Sequence, residues 1–240
     1  MSQNIEVRSS VELPSRRENI TLHTSDGLAL IGELATPLDR EPVATLVMLH
    51  PLPTHGGFMD SHIYRKAANR LPALADLAVL RFNTRGTSSP HGTSEGEFGE
   101  GITEVADVRA AVAFAAQRKL PNIWVVGWSF GTELALKYAV DEEVLGAILL
   151  SPPLHRTTDE ELLRWNQSHE RLVALVPEFD DYLTPAQAEL RFSIVPKLEM
   201  VAVDGAKHLW VGEAATKRVL DEIVRVVNPD SYPLPDTFKN

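Results

Sequence analysis

The sequence contains no cysteine. Disulfides, thiolate nucleophiles and zinc–sulfur sites are therefore excluded. Positive charge is also scarce: 23 Lys and Arg against 33 Asp and Glu leave a formal net charge of −10. A nucleic-acid partner, which needs clustered Lys and Arg against phosphates, is not expected. No uninterrupted apolar run reaches membrane-spanning length, and the opening Met-Ser-Gln-Asn-Ile-Glu-Val-Arg lacks the apolar core of a signal peptide. These absences describe a soluble, cytoplasmic protein with no membrane partner. There is no H-E-x-x-H and no carboxylate–histidine spacing suited to a metal, so neither metal nor cofactor is expected. The glycine-rich stretch Gly92 to Gly101 is acidic and would repel phosphate, so it reads as a mobile loop.

Repeats, low-complexity tracts and dividing linkers are absent too. With 44% hydrophobic residues in 240, the chain can bury one sizeable core. Residues 1–18 read as a polar surface arm, 19–227 as a single domain and 228–240, with Pro229, Pro233 and Pro235, as a loose tail. Nothing in the sequence sets an oligomeric state.

What is present centres on Asn122 to Tyr138. Ile123 to Val126 is a short β-branched and aromatic run between Pro121 and Gly127, suited to a strand buried on both faces. From Phe130 the period changes, with Leu134 and Tyr138 four apart and Ala135 and Ala139 likewise, which is helical. The join, Gly127-Trp128-Ser129-Phe130-Gly131, has the G-x-S-x-G form of a nucleophile elbow. Such a turn strains the serine backbone, and the flanking glycines let neighbouring chain approach without a Cβ in the way.

Strand and helix patterns alternate around this centre. Asn19 to Leu34 reads as an antiparallel hairpin turning at Asp26-Gly27. Buried strands follow at Ala44–Leu49, Leu77–Phe82, Val144–Leu150, Leu172–Val176 and Leu198–Val203. Helices are expected from about Asp60, over Ile102–Arg118, in the Leu154–Glu170 connection, over Pro185–Phe192 and over Gly212–Val227. That order predicts a mostly parallel sheet with helices on both faces, its ligand crevice at the carboxyl ends of the strands. His50, Asn83, Ser129, Asp180 and His208 all fall at or just past strand ends.

A serine hydroxyl attacks only if a base removes its proton, and the base needs a carboxylate to orient it. On sheets of this kind the partners follow in the order nucleophile, acid, histidine. His208 is the histidine, since none other follows His169. Asp180 is the leading acid, with Asp181 and Glu178 as competitors in the same turn and Asp204 closer to His208 on its own loop. His50 and His55 shape the loop beside the site.

The motifs His50-Pro51-Leu52-Pro53 with Gly56-Gly57, Arg81-Phe82-Asn83-Thr84-Arg85-Gly86, the elbow, and Gly205-Ala206-Lys207-His208 together resemble a small α/β-hydrolase without a cap domain. The resemblance runs from about Thr45 to Val227. It implies a serine hydrolase fold with Ser129, Asp180 and His208 as the triad. Val176-Pro177 stands where the family has a histidine–glycine pair. The expected reaction is hydrolysis of a small carboxylic ester. The alternatives are an amide- or peptide-directed hydrolase, an acyltransferase, or a non-catalytic binding protein on the same fold. The expected oxyanion donors are the N–H of Phe130 and that of Leu52, because Pro51 and Pro53 have none to offer. The short Leu154–Glu170 connection implies an open cleft, partly covered by the Asn83–Gly101 loop.

Overall fold

The computed structural model describes residues 4–239, so residues 1–3 of the arm and residue 240 of the tail lie outside the described residues. A short strand β1 (Asn4–Glu6) precedes the hairpin β2 (Arg16–His23) and β3 (Ala29–Thr36). Then come β4 (Ala44–Leu49), α1 (His62–Ala75), β5 (Leu77–Phe82), a small hairpin β6 (Ser88–Ser89) and β7 (Gly92–Thr93), and α2 (Val105–Gln117). The second half runs β8 (Ile123–Trp128), α3 (Phe130–Tyr138), β9 (Gly146–Leu150), α4 (Asp159–Gln167), β10 (Arg171–Phe179), α5 (Pro185–Phe192), β11 (Glu199–Lys207), α6 (Glu213–Val227) and β12 (Thr237–Lys239).

An eight-stranded sheet in the order β2-β3-β5-β4-β8-β9-β10-β11 carries the fold. From β5 to β11 every pairing is parallel; the pairings of β3 with β2 and with β5 are antiparallel, so in this sheet β3 alone runs against the other strands. The parallel strands were legible as continuous apolar runs because both their faces are covered. Alternate residues feed two cores. Val47 and Leu49 of β4 join Val108 and Val112 of α2, Leu134 of α3 and Trp165 of α4 on one face. Leu46 and Met48 join Ile63, Tyr64 and Leu71 of α1 and Val219 and Ile223 of α6 on the other. The chain leaves β4 for β5 on one side and returns to β8 on the other. The loops after β4 and β8 therefore diverge at the switch point, where such sheets place their ligands.

Several elements differ from the sequence reading. The tail is not loose: Leu234 is buried, its N–H bonds Asp221 Oδ1 at 3.0 Å, and β12 pairs antiparallel with β1. Apolar contact with α6 and a ladder to the arm outweigh the prolines. The arm is likewise pinned, with Leu13 buried and its N–H on the Asn69 carbonyl. Strand β10 runs on through Pro177 to Phe179, and the register against β11 shifts between Pro177 and Phe179. A residue without an N–H is tolerated at such an irregularity. Helix α2 starts at Val105 rather than Ile102, because the Glu104 carboxylate accepts the N–H groups of Gly99 and Gly101 and holds the preceding turn.

No separate cap exists among the described residues. The chain between β9 and β10 holds α4 and its connections only. No helix among them is long and apolar enough to cross a membrane.

Candidate active site

Ser129 follows β8 and caps α3 at φ 52° and ψ −116°, a strained conformation for a residue with a side chain. The elbow glycines make the turn sterically feasible. A Cβ on Gly131 would lie 1.8 Å from the Leu49 carbonyl oxygen, and one on Gly127 2.3 Å from that of Gly131. The Ser129 N–H is spent on the Leu150 carbonyl at 2.9 Å. The next amide, Phe130, opens a helix whose first N–H groups have no acceptor within it.

Three sequence-distant residues meet here. Ser129 Oγ lies 2.9 Å from His208 Nε2, and His208 Nδ1 lies 2.9 Å from Asp180 Oδ2. The other Asp180 oxygen accepts the N–H groups of Tyr182 at 2.8 Å and Leu183 at 3.3 Å, which fixes the carboxylate edge toward the imidazole. Asp180 and His208 are both buried. The competing acids go elsewhere: Glu178 accepts the Gly205 N–H at 2.7 Å, and Asp181 and Asp204 are exposed. The His208 backbone is held as firmly as its ring. Its carbonyl accepts from Trp128 Nε1 at 3.2 Å and from Ser151 Oγ at 3.1 Å. Tyr182 packs edge-on against the imidazole, ring centres 4.6 Å apart.

The loop after β4 is built around His50, which is fully buried. Its Nδ1 donates to the Pro51 carbonyl at 2.7 Å, and its Nε2 accepts the Thr84 N–H at 3.1 Å. Pulling the Pro51 carbonyl toward His50 turns the N–H of the same peptide, that of Leu52, the opposite way. Gly57 sits so close beneath that a Cβ there would lie 2.0 Å from the Pro51 oxygen. The motif around Asn83 supports this loop. Arg81 pairs with Glu33 at 2.7 Å and with Asp60, and Asn83 Oδ1 accepts the Met59 N–H at 2.9 Å.

Burial pushes His50 from the ordinary 6.5 down to about 4, with the Pro51 bond opposing. The native ring stays neutral while the unfolded chain takes up a proton below pH 6.5. The His50 contribution to stability is therefore complete above about pH 6.5 and is lost as the pH falls toward 4, for about 3 kcal/mol in all. Urea midpoints measured from pH 7.5 to 4 should fall more steeply for the wild type than for His50→Gln. Equal slopes would place the acid sensitivity in other groups.

The cleft is about 300 Å³ and is lined by Pro51, Leu52, Ser129, Phe130, Arg156 and His208 among others. Leu52 and Phe130, the expected oxyanion donors, line the same cleft as Ser129. The Asn83–Gly101 loop does not line the cleft. Ile31 N–H donates to Ser94 Oγ and Ala29 N–H to the Glu95 carboxylate, so β3 holds the middle of the loop away, while its ends support the site: Thr84 N–H bonds His50 Nε2, Phe98 lies edge-on to the Phe130 ring, and a Cβ on Gly101 would lie 3.3 Å from Phe130 and 3.6 Å from Arg156. Sequence reasoning missed Glu133, His155, Arg156 and Tyr182 as lining residues. Glu133 had a usable signal, one helical turn from Ser129, but the others sit on loops without periodicity. Among the described residues no group of three or more His, Asp or Glu stands together as metal ligands.

A mostly parallel sheet with a strained serine between its central strand and a buried helix defines an α/β-hydrolase fold without a cap. The chain belongs to the alpha/beta hydrolase family, whose sequence model matches residues 46–231. In structure it is similar to an α/β serine hydrolase without lid from Xanthomonas campestris, with TM-score 0.74, 23% identity, and coverage of 93% of this chain and 99% of that one. It is similar to an α/β serine hydrolase homologue from Coxiella burnetii at TM-score 0.73 and 25% identity over 88% and 97% of the two chains. An esterase from Pyrococcus furiosus superposes at TM-score 0.70 and 18% identity over 89% and 93%. An uncharacterized protein of Rickettsia prowazekii is 32% identical over 120 residues, a match spanning 48% of this chain and only about half (46%) of that protein.

Proposed function

We propose that this protein is a serine hydrolase that cleaves small carboxylic esters through an acyl-enzyme. The observation that carries the reading is the unbroken hydrogen-bond relay from Ser129 Oγ through His208 to Asp180, at 2.9 Å for each link. Ser129 Oγ adds to the ester carbonyl carbon as His208 Nε2 takes its proton. The tetrahedral oxyanion is held by the N–H groups of Phe130 and Leu52, and the dipole of α3 favours negative charge there. Collapse breaks the bond to the alcohol oxygen, and His208 returns the proton to that oxygen. Water then repeats the sequence, regenerating Ser129 and releasing the acid. Asp180 keeps the proton of the neutral imidazole on Nδ1 and stabilises the imidazolium.

Support for esters comes from the site being open and from the esterase among the structures of the same fold. The short β9–β10 connection cannot seal a pocket. The cleft should therefore prefer short acyl groups and show no activation at a lipid interface. A fluorophosphonate probe is expected to label the wild type and not Ser129→Ala. A series of p-nitrophenyl esters should lose activity as the acyl chain lengthens. Failure to label, or a preference for long emulsified esters, would overturn the proposal.

A further inference from the structure

We propose that Arg156 is the specificity residue of this cleft and that the acyl group it selects ends in a carboxylate, as in a half-ester of a short dicarboxylic acid. The inference rests on the ester-hydrolase reading and names its substrate class.

The argument begins with Glu133, whose side chain is completely buried in the cleft wall. Its Oε1 accepts the backbone N–H of Arg156, while Lys137 Nζ donates to the Arg156 carbonyl at 2.9 Å. Both groups project from α3, so the Arg156 backbone is clamped from two sides to the helix that follows the nucleophile. The guanidinium is then placed over the Phe130 ring, 5.6 Å from its centre. Burying a carboxylate and a lysine contact to fix one arginine is costly unless the placement matters.

A role as mere counter-ion to Glu133 uses little of this arginine. Glu133 Oε2 meets only Nη1, at a long 3.4 Å. Among the described residues Nη1 is the only guanidinium nitrogen with a hydrogen-bond partner, and the side chain remains 32% exposed to the cleft. The free edge of the fork suits a carboxylate, which it can hold through paired bonds. Glu133, which holds Arg156, lies one turn from Ser129, about 6 Å along α3, so the bound carboxylate is expected at the end of a short acyl chain.

The direction of the substrate follows from the proton. His208 must protonate the leaving oxygen, so the alcohol lies on the side of His208, Tyr182 and Leu209. The acyl group is then assigned to the Phe130 ring, over which Arg156 stands.

The test compares mono-p-nitrophenyl glutarate with p-nitrophenyl valerate, which match in length and leaving group. The wild type should favour the charged ester by about ten- to hundredfold in kcat/KM, carried by KM, and the preference should shrink with added salt. Arg156→Gln should lose at least tenfold more on the charged ester than on the neutral one, and Arg156→Lys should recover part of that. The double variant Glu133→Gln/Arg156→Gln, which leaves no uncompensated buried charge, should behave like Arg156→Gln. No preference in the wild type, or equal losses on both esters, would overturn the assignment and leave Arg156 as a structural counter-ion. Absence of turnover on both esters would instead sink the hydrolase reading. Calorimetric titration with glutarate and with valerate then decides the inference alone: tighter glutarate binding that is lost in Arg156→Gln supports it, and equal binding overturns it.

Discussion

Ser129→Ala and His208→Ala are each expected to abolish ester turnover while the protein melts normally, because nucleophile and base act as one unit. Asp180→Asn should cost about 10³- to 10⁴-fold in kcat. The asparagine can still accept the Tyr182 and Leu183 N–H groups through its oxygen. It then presents its NH₂ to His208 Nδ1, which forces the proton of the neutral ring onto Nε2, where it cannot receive that of serine. Asp181→Asn, on an exposed side chain of the same turn, should stay within about twofold of wild type, the usual range for a surface change without a contact. Steady-state kinetics on a short p-nitrophenyl ester, with circular dichroism as a fold control, settles each variant. A dead Asp181→Asn beside an active Asp180→Asn would reverse the assignment of the acid.

Gly57→Ala should also lower kcat strongly, although Gly57 lies outside the hydrogen-bonded relay. Its Cβ would stand 2.0 Å from the Pro51 oxygen and 2.9 Å from that of Leu52. The Pro51–Leu52 peptide must then swing, and His50 Nδ1, holding that carbonyl at 2.7 Å, resists only part of the displacement. Losing one oxyanion donor in related chemistry costs about 3 kcal/mol, or roughly 100-fold in kcat. The effect should fall on kcat with KM little changed, since the donor acts mainly on the charge that develops in the transition state. Fluorophosphonate labelling should slow in parallel. A Gly57→Ala enzyme with kcat within threefold of wild type would mean that Leu52 is not the second donor.

The parts of this molecule that were legible in the sequence share a physical reason. Strands such as Ala44–Leu49 and Leu77–Phe82 are covered on both faces, so each appears as an apolar run with sharp ends. The elbow was legible because its glycines answer a steric demand that no other residue meets, as the 1.8 Å clearance at Gly131 shows. The order of Ser129, Asp180 and His208 was legible because each follows a strand. What stayed hidden depends on partners remote in sequence. Arg156 looks like one more polar loop residue until Glu133 and Lys137 are seen to hold its backbone. His50 looks like loop filler until Thr84 and the Pro51 carbonyl fix its tautomer. The glycines of the Asn83–Gly101 loop suggest partial cover of the cleft, whereas the bonds from β3 to Ser94 and Glu95 decide where its middle lies.

The pairing of β1 with β12 has a consequence for connectivity. Asn4 stands opposite Lys239 and Glu6 opposite Thr237, so the described chain is close to a closed loop opened at one edge. The loop at Glu142 and Glu143, lined by exposed and half-exposed residues away from Ser129, is another place where such a ring could be cut. Opened there and joined across the ribbon, the same side chains would meet in the same geometry. They would then be read in the order Asp180, His208, Ser129. The sequence order that made the site recognisable is therefore a property of where the ring is opened, and the chemistry is indifferent to it.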